Sequence, residues 1–384
     1  MKTFLLMGGY GNAGQAIVNA LVTYYRHNSD SNNAIRLLIA GRHLDRANCF
    51  IQKLVCDGLP PHMTLEGRTV DASDMESLLN VLSDDPVSMI VVASSTTKHV
   101  KTVVQAVRQV GGIDYFDVQY SRTKTAYLKV QDKVGLLKEQ LWITDGGFHP
   151  GLPGAMLRSV CEQGSKDKQA VTEAHVFGLI SYNWNNLSAN LANETMEEFV
   201  VEMKDFEGKV FSDGNWKNQG SAAFFHPITV DFGEPFGNKP CVAMYLDELE
   251  DIPCQYPSLR ETGFYIAGFH WFIDWFIMPC ILLMLIIFPS SQKSTSRLLL
   301  RSFQTFCGPP FKTILKTKAS TGSSLIVSHK DAYSLTGIPA AATMVQYVQG
   351  KFIASKGLNF QASIVATAPF FEDMRQMGAS VEVR

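Results

Sequence analysis

Three glycines at positions 9, 11 and 14, in the run "MGGYGNAGQAI", are spaced as Gly-x-Gly-x-x-Gly. Between a strand and a helix that spacing has a chemical use. The first glycine permits a tight turn, the second lets a phosphate approach the backbone, and the third lets the helix close onto the strand. The N–H groups that open the helix, those of Asn12, Ala13 and Gly14, then point at an anion, and the helix dipole adds to the attraction. The flanking residues supply the context. Phe4 to Met7 is a short apolar run suited to a strand covered on both faces, and Ala16, Ile17, Ala20, Leu21 and Tyr24 recur at helical spacing. The stretch therefore predicts a dinucleotide site, and its apolar run is too short for a signal peptide.

The second strand, "IRLLIAGR", tests which dinucleotide. Sites that select NAD place Asp or Glu at the end of this strand to bind the ribose 2′-hydroxyl. Here Ala40 and Gly41 hold that place, followed by Arg42, His43 and Arg46. A guanidinium without the carboxylate fits a 2′-phosphate, so the expected cofactor is NADP(H), with a solvated arginine as the alternative. Strand and helix continue to alternate: "ANCFIQKLV" helix, "EGRTVDAS" strand, "DMESLLNVLS" helix, "VSMIVVASST" strand, "HVKTVVQAVRQVG" helix, "DYFDVQ" strand, a helix near 123–138, and "LWITDGG" strand. The expected fold class is α/β, a doubly wound parallel Rossmann sheet. Ligands bind such sheets beyond the carboxyl ends of the strands, which brings Ser94, Ser95, Thr96, Asp117, Gln119, Tyr120 and the loop after Thr144 to the nicotinamide side. Asp71 ends the third strand, where it either touches the adenine or caps the next helix, as Asp74 also could. Asp117 follows a buried strand, which costs free energy unless the acid is paired or functional; hydrogen bonding and proton transfer both remain open for it.

At "DYFDVQY" and "DGGFHPGLPG" the chain resembles the saccharopine dehydrogenase-like oxidoreductases. The matching positions are Gly9, Gly11, Gly14, Gly41 with Arg42, Asp71, Tyr115 with Asp117, and Gly147-Phe148-His149-Pro150-Gly151. Weaker similarity runs through "VDFGEPFGNKPCVAMYLDELEDIPCQYPSLRETGF", "SHKDAYSLTGIPAAATMVQYVQGK" and "FFEDMRQMGASVEVR". The resemblance implies an NADP-binding Rossmann domain, a second domain bearing the substrate site, and reduction of an imine or related group. Amino-acid-using members carry an acid in the Gly-x-x-Pro-Gly turn where this chain has His149, which argues against an α-amino-acid substrate. His149, with an ordinary pKa near neutrality, is either a general acid or a loop residue bonding the backbone.

Beyond the turn the alternation stops. "AVTEAHVFGLI" reads as a strand, "SANLANETMEEFVVEMK" as a helix capped by Ser188 or Asn190, and "KVFSDGNWKN" as a hairpin around Asp-Gly. "HPITVDFG", "CVAMYLDEL", "RETGFYIAG", "FKTILKTKA" and "SLIVSHKDAY" add strands. The expected division is a Rossmann domain over 1–150, an α+β substrate domain of mixed sheet over 151–330 with an apolar helical insertion at 268–306, and a segment over 331–384 that returns to the first domain. Its helix, "IPAAATMVQYVQGK", is expected to begin at Pro339 and end at Gly350, and substrate is expected to lie between the domains.

The chain has 384 residues, 46% of them hydrophobic and 18% charged, with a formal net charge of −2, and no basic arm that would suit nucleic acid. Seven cysteines without CxxC spacing fit a reduced, cytoplasmic protein, and no metal-ligand cluster stands out among nine histidines. Charge is uneven, however. No Asp or Glu lies between Asp274 and Asp331, while Lys293, Arg297, Arg301, Lys312, Lys316, Lys318 and Lys330 all do. This basic region adjoins "GFHWFIDWFIMPCILLMLIIFPSSQKS". Phe276 to Phe288 is free of charge, yet thirteen residues rise only about 20 Å as a helix against a roughly 30 Å hydrocarbon core. Extension upstream places Asp274 near the middle at about 2.5–3.5 kcal/mol. Three readings stand: attachment to a membrane surface, burial in the core or in a homodimer interface, and a true span.

The leading expectation is an NADP(H)-dependent oxidoreductase moving hydride to or from a C=N, C=O or C=C group of a small molecule, a hydrophobic one being favoured over a free amino acid if the apolar stretch touches lipid. In it Asp117, Tyr120 or His149 orient substrate or supply the proton. The alternative is a membrane- or lipid-associated nucleotide-binding protein without turnover.

Overall fold

The structure is a computed structural model that describes residues 1–28, 33–94, 97–186, 196–197, 199–200, 203, 206–219, 227–353 and 356–384. It divides into two compact units, one formed by Met1–Ser159 with Tyr333–Val381 and the other by Val160–Ala332 with Glu382–Arg384.

In the first unit the chain runs β1 (Lys2–Met7), α1 (Asn12–His27), β2 (Ile35–Gly41), α2 (Leu44–Cys56), β3 (Met63–Thr69), α3 (Met75–Asp84), β4 (Met89–Val92), α4 (Val100–Val110), β5 (Asp114–Asp117), α5 (Arg122–Lys133) and β6 (Leu141–Thr144). A helix α6 (Leu152–Lys166) leads into the second unit. Later, β15 (Gly357–Phe360) adds a strand beside β6, so the seven-stranded sheet has the order β15-β6-β5-β4-β1-β2-β3. Each pairing in it is parallel. Such a sheet is covered on both faces and favours continuous apolar strands. Leu5, Leu38, Ile90 and Trp142 are accordingly buried on one side with Val103, Val104 and Leu128 of the covering helices. The order reverses at β1, which pairs with both β2 and β4, and this switch point places the glycine turn beside the end of β4.

Several boundaries differ from those the residues suggest. β3 begins at Met63 because it pairs with β2 along its whole length, including the polar residues Thr64 and Glu66. Glu66 binds Arg36 at 2.7 Å, and Arg68 binds Asp85 at 2.8 Å, so charges offset charges along this edge. α5 stops at Lys133, where Gly135 takes a positive φ of 80°. The long C-terminal helix α10 (Ala332–Gln349) starts well before Pro339, which lies inside it. The gain that keeps Pro339 helical is packing. A Cβ on Gly337 would come within 2.6 Å of the Ala16 carbonyl carbon and the Ile17 nitrogen, so α10 crosses α1 at backbone contact. A short α11 (Gln361–Ile364) and α12 (Thr367–Gln376) complete the unit.

The second unit holds a nine-stranded mixed sheet. β7 (Glu173–Ser181) lies between β12 (Glu261–Ala267), to which it is parallel, and β13 (Lys312–Ala319), to which it is antiparallel. β10 (Ile228–Asp231) and β11 (Asn238–Met244) extend one side, and β14 (Leu325–His329) and β16 (Ser380–Val383) the other, while a short α7 (Ile252–Gln255) precedes β12. The Asp-Gly hairpin forms from β8 (Lys209–Ser212) and β9 (Asn215–Asn218), with Asp213 and Gly214 both at positive φ, as a two-residue turn requires. Phe177, Leu179, Cys241, Tyr265 and Ile314 form its core. The helix expected over 188–204 lies mostly outside the described residues.

The apolar stretch folds as a helical hairpin. A π-turn over Ile273–Ile277 runs into α8 (Met278–Ile287), and after a short turn α9 (Gln292–Phe306) folds back, stacking Phe306 on His270 with ring centroids 5.4 Å apart. Among the described residues no helix is long and apolar enough to cross a membrane.

Candidate functional site

The glycine turn has the geometry its spacing implies. The N–H groups of Gly8 and Gly9 both reach the Ala40 carbonyl at the end of β2, at 2.9 and 3.3 Å, and Gly11 N–H returns to Gly8 O at 2.9 Å. A Cβ on Gly14 would stand 2.6 Å from Gly9 Cα, and one on Gly8 2.5 Å from the Ser94 Cβ, so both walls of the turn are closed. Helix α1 begins at Asn12, with Gln15 N–H the first to bond back, to Gly11 O. The N–H groups of Asn12, Ala13 and Gly14 are thus the helix's opening donors.

Gly41 is needed for a different reason. The Tyr10 ring lies where its side chain would be, with ring carbon Cε1 2.5 Å from a built Cβ, and the Tyr10 hydroxyl accepts the His43 N–H at 3.1 Å. Arg42 follows, exposed and making no hydrogen bond or ion pair among the described residues. Asp71 faces it from the end of β3. The Ser73 amide and hydroxyl, at 2.9 and 2.7 Å, hold the Asp71 carboxyl below its usual range, with smaller help from Arg42 and His99. Asp74, not Asp71, caps α3, accepting the Glu76 N–H at 3.0 Å. Ser94 ends β4 at the switch point; Ser95 and Thr96 lie outside the described residues.

Asp117 proves to be the centre of a buried ionic cluster. It is fully buried, as are Lys124 and Asp145 to within 1%. The Lys124 ammonium donates to Asp117, to Asp145 at 2.9 Å and to the Gln119 carbonyl at 2.5 Å. Thr144 donates its hydroxyl to Asp117 at 3.0 Å and Thr125 its own to Asp145 at 3.1 Å. Burial pulls the Lys124 ammonium down, and the two carboxylates more than offset it, so it stays charged. The cluster joins β5, α5 and the loop after β6 through one ammonium shared between two acids. Tyr120, next to Gln119, is half-buried at the cluster's edge.

The cluster fixes the turn that carries His149. Asp145 adopts a left-handed φ of 55°, Gly147 and Gly151 lie at 108° and 112°, and Gly147 N–H donates to the Gln361 side chain at 3.2 Å. Gln361 is itself fully buried at the start of α11, brought there by β15. His149 keeps only a small share of its surface open, packs its ring edge-to-face on Phe148 at 4.6 Å, and burial pushes its imidazole down to about 4. Neutral at pH 7, it offers one donor and one acceptor rather than a charged acid, a correction to the expectation from its ordinary pKa.

Lys124, Asp145 and Gln361 were not singled out by motif. Lys124 sits in "SRTKTAYLKVQDK", which reads as a solvated helix; its signal was a lysine seven residues beyond a buried acid. Away from this site, parallel pairing of β7 with β12 brings Glu173, His175 and Glu261 within 4.8 Å of one another, a grouping that sequence distance conceals. His175 Nε2 lies 3.4 Å from the Glu173 carboxylate, and histidine–carboxylate pairing accounts for the contact.

No protein-family model and no curated protein matches the chain. Among solved structures, apo saccharopine dehydrogenase (L-Glu forming) from Saccharomyces cerevisiae matches over 100% of both chains, with a TM-score of 0.63 and 13% identity. The chain has that fold. A myo-inositol dehydrogenase from Lactobacillus casei, solved with NAD(H) and myo-inositol, matches over 100% of this chain and 97% of its own at 0.44 and 9% identity. A dehydrogenase from Chromobacterium violaceum does so over 98% and 93% at 0.41 and 10%. Scores below 0.5 carry no argument, and a shared fold does not transfer a substrate.

Proposed function

We propose that the chain is an NADP(H)-dependent oxidoreductase that moves hydride between the nicotinamide and a C=N, C=O or C=C group of a small, hydrophobic molecule. The observation that carries this reading is the glycine turn at the sheet's switch point, closed to any Cβ at Gly14 and followed by an exposed arginine with no hydrogen bond or ion pair among the described residues. The opening N–H groups of α1 would hold a pyrophosphate, Arg42 the 2′-phosphate, and Asp71, Ser94 and Ser95 would border the nucleotide. When bound, the nicotinamide supplies or accepts the hydride.

The chain's own residues would do the rest. His149, kept neutral by burial, would donate an N–H to the oxygen or nitrogen on which negative charge develops, without first being charged. Tyr120 is the second candidate donor. Asp117 would act through Lys124 as a positioning residue, holding the loops that carry Gln119, Tyr120 and His149.

The test is NADPH binding by fluorescence, followed by NADPH oxidation against panels of imines, ketones and enoyl lipids. Oxidation with one panel, lost in His149→Phe while NADPH binding persists, is the expected result. Tight binding without oxidation in any panel would favour the nucleotide-binding protein without turnover, and no binding would sink both.

A further inference from the structure

Surface helices ordinarily turn a polar face to water. In the hairpin of α8 and α9, α8 does not. Ten of the nineteen large apolar side chains exposed among the described residues fall within 268–306. Trp271, Trp275, Leu283, Ile286, Ile287 and Phe288 are each 53–77% exposed, while Ile281 and Leu285 face inward. The helix is thus apolar on both faces, with one side unpartnered among the described residues.

Two further features decide what covers that side. The stretch's one acid, Asp274, is turned away from it: its carboxylate accepts the Phe269 N–H at 3.1 Å, and Gly268 leaves the room, since a Cβ there would stand 3.0 Å from Asp274 Cγ. Burial there pushes Asp274 up to about 6. The second feature is α9, whose exposed side carries Lys293, Arg297 and Arg301 at i, i+4 and i+8. None of the three has an ion pair among the described residues, and the first turn of α9 contains no acid to offset Lys293 beside the positive end of the helix dipole. A row of unpaired like charges next to an open apolar face costs free energy in water.

From this juxtaposition we infer that the α8–α9 hairpin is a monotopic docking surface for an anionic phospholipid bilayer: Trp271, Trp275, Ile286, Ile287 and Phe288 enter the interface, and Lys293, Arg297 and Arg301 meet the headgroup phosphates. Indole rings suit the headgroup level, and apolar insertion beside basic residues is how interfacial helices bind. α8 spans ten residues, about 15 Å, too short to cross but long enough to lie in the interface. A second copy of the chain is the poorer occupant, because a two-fold contact through this face would set the same basic row against itself. This inference does not depend on the cofactor.

The experiment is flotation of the full chain with vesicles of phosphatidylcholine alone and with about one third phosphatidylserine, alongside light scattering for the oligomeric state. The chain is expected to float with the anionic vesicles, weakly with the neutral ones, and less as salt rises. Ile286→Asp, at a position too exposed to disturb folding, should weaken binding to the anionic vesicles at least about tenfold. Arg297→Glu should weaken anionic binding about thirtyfold, the conversion of about 2 kcal/mol for a basic charge lost and then reversed, and leave neutral-vesicle binding unchanged. Circular dichroism and the thermal unfolding profile should be the same in both variants as in the unaltered chain, which reports that both units are folded. Failure to float with anionic vesicles, flotation unaffected by Ile286→Asp, or a dimer that Ile286→Asp dissociates would each overturn the inference.

Discussion

Lys124→Met offers a worked test of the buried cluster. Methionine retains the aliphatic stem and removes the ammonium, leaving the Asp117 and Asp145 carboxylates, 0% and 1% exposed, with no cation between them. Breaking a buried pair in this way costs about 3–5 kcal/mol. A second route gives a similar figure. The chain can escape by protonating one carboxyl, and taking an ordinary aspartate from its pKa near 3.9 up to pH 7 costs about 4 kcal/mol. The same reasoning fixes the pH dependence. At pH 5 protonation costs only about 1.5 kcal/mol, so the penalty should shrink by more than half. Because the chain has two units, its unfolding need not be a single transition. Hydrogen exchange of β5 and β6, read peptide by peptide at pH 7 and pH 5 and corrected for intrinsic rates, is therefore the assay. Adding Asp117→Asn to Lys124→Met should recover part of the loss. A penalty below about 1 kcal/mol at pH 7, or one that does not change at pH 5, would refute the role of the shared ammonium as an ionic strut.

Other predictions address the turn, the helix crossing and the histidine. Gly14→Ala should abolish NADPH binding, by more than about a hundredfold, because the methyl meets backbone that cannot yield without opening the turn; titration with retained affinity would contradict this. Gly337→Ala should lower stability by about 1–3 kcal/mol despite alanine's better helix propensity, and an unchanged or raised Tm would show that α10 and α1 are not at backbone contact. His149 is held neutral in the fold, with its pKa moved from 6.5 to about 4, so the stability it contributes is full above pH 6.5 and is lost as the pH falls towards 4. The difference in unfolding free energy between the protein and His149→Gln should accordingly change by about 3 kcal/mol across that window, and a pH-independent difference would place the imidazole in water.

The parts legible in the sequence were those fixed locally. Gly9, Gly11 and Gly14 announce themselves because a turn's steric demands fall on adjacent residues, and the apolar runs of β1, β2, β4 and β6 follow from burial on both sheet faces. What stayed hidden depended on partners far along the chain. Lys124 looks solvated until β6 delivers Asp145, and Gln361 has no motif at all until β15 sets it against Gly147. Pro339 was a sound helix start by local preference, and the close crossing at Gly337 overrode it. For the apolar stretch, composition left three readings open, because nothing in it reveals that Asp274 turns inward while Ile286 and Phe288 turn out.

In the function we propose, the turn after β1 and Arg42 at the end of β2 form an NADP site. Calorimetric titration of the protein and of Arg42→Ala with NADPH and with NADH tests it most directly. A charged hydrogen bond contributes about 1.5–3 kcal/mol, so NADPH should bind the protein about 10- to 100-fold more tightly than NADH, and Arg42→Ala should remove that preference while leaving NADH affinity unchanged. Equal losses for both cofactors in Arg42→Ala, or an undiminished preference for NADPH, would contradict the assignment.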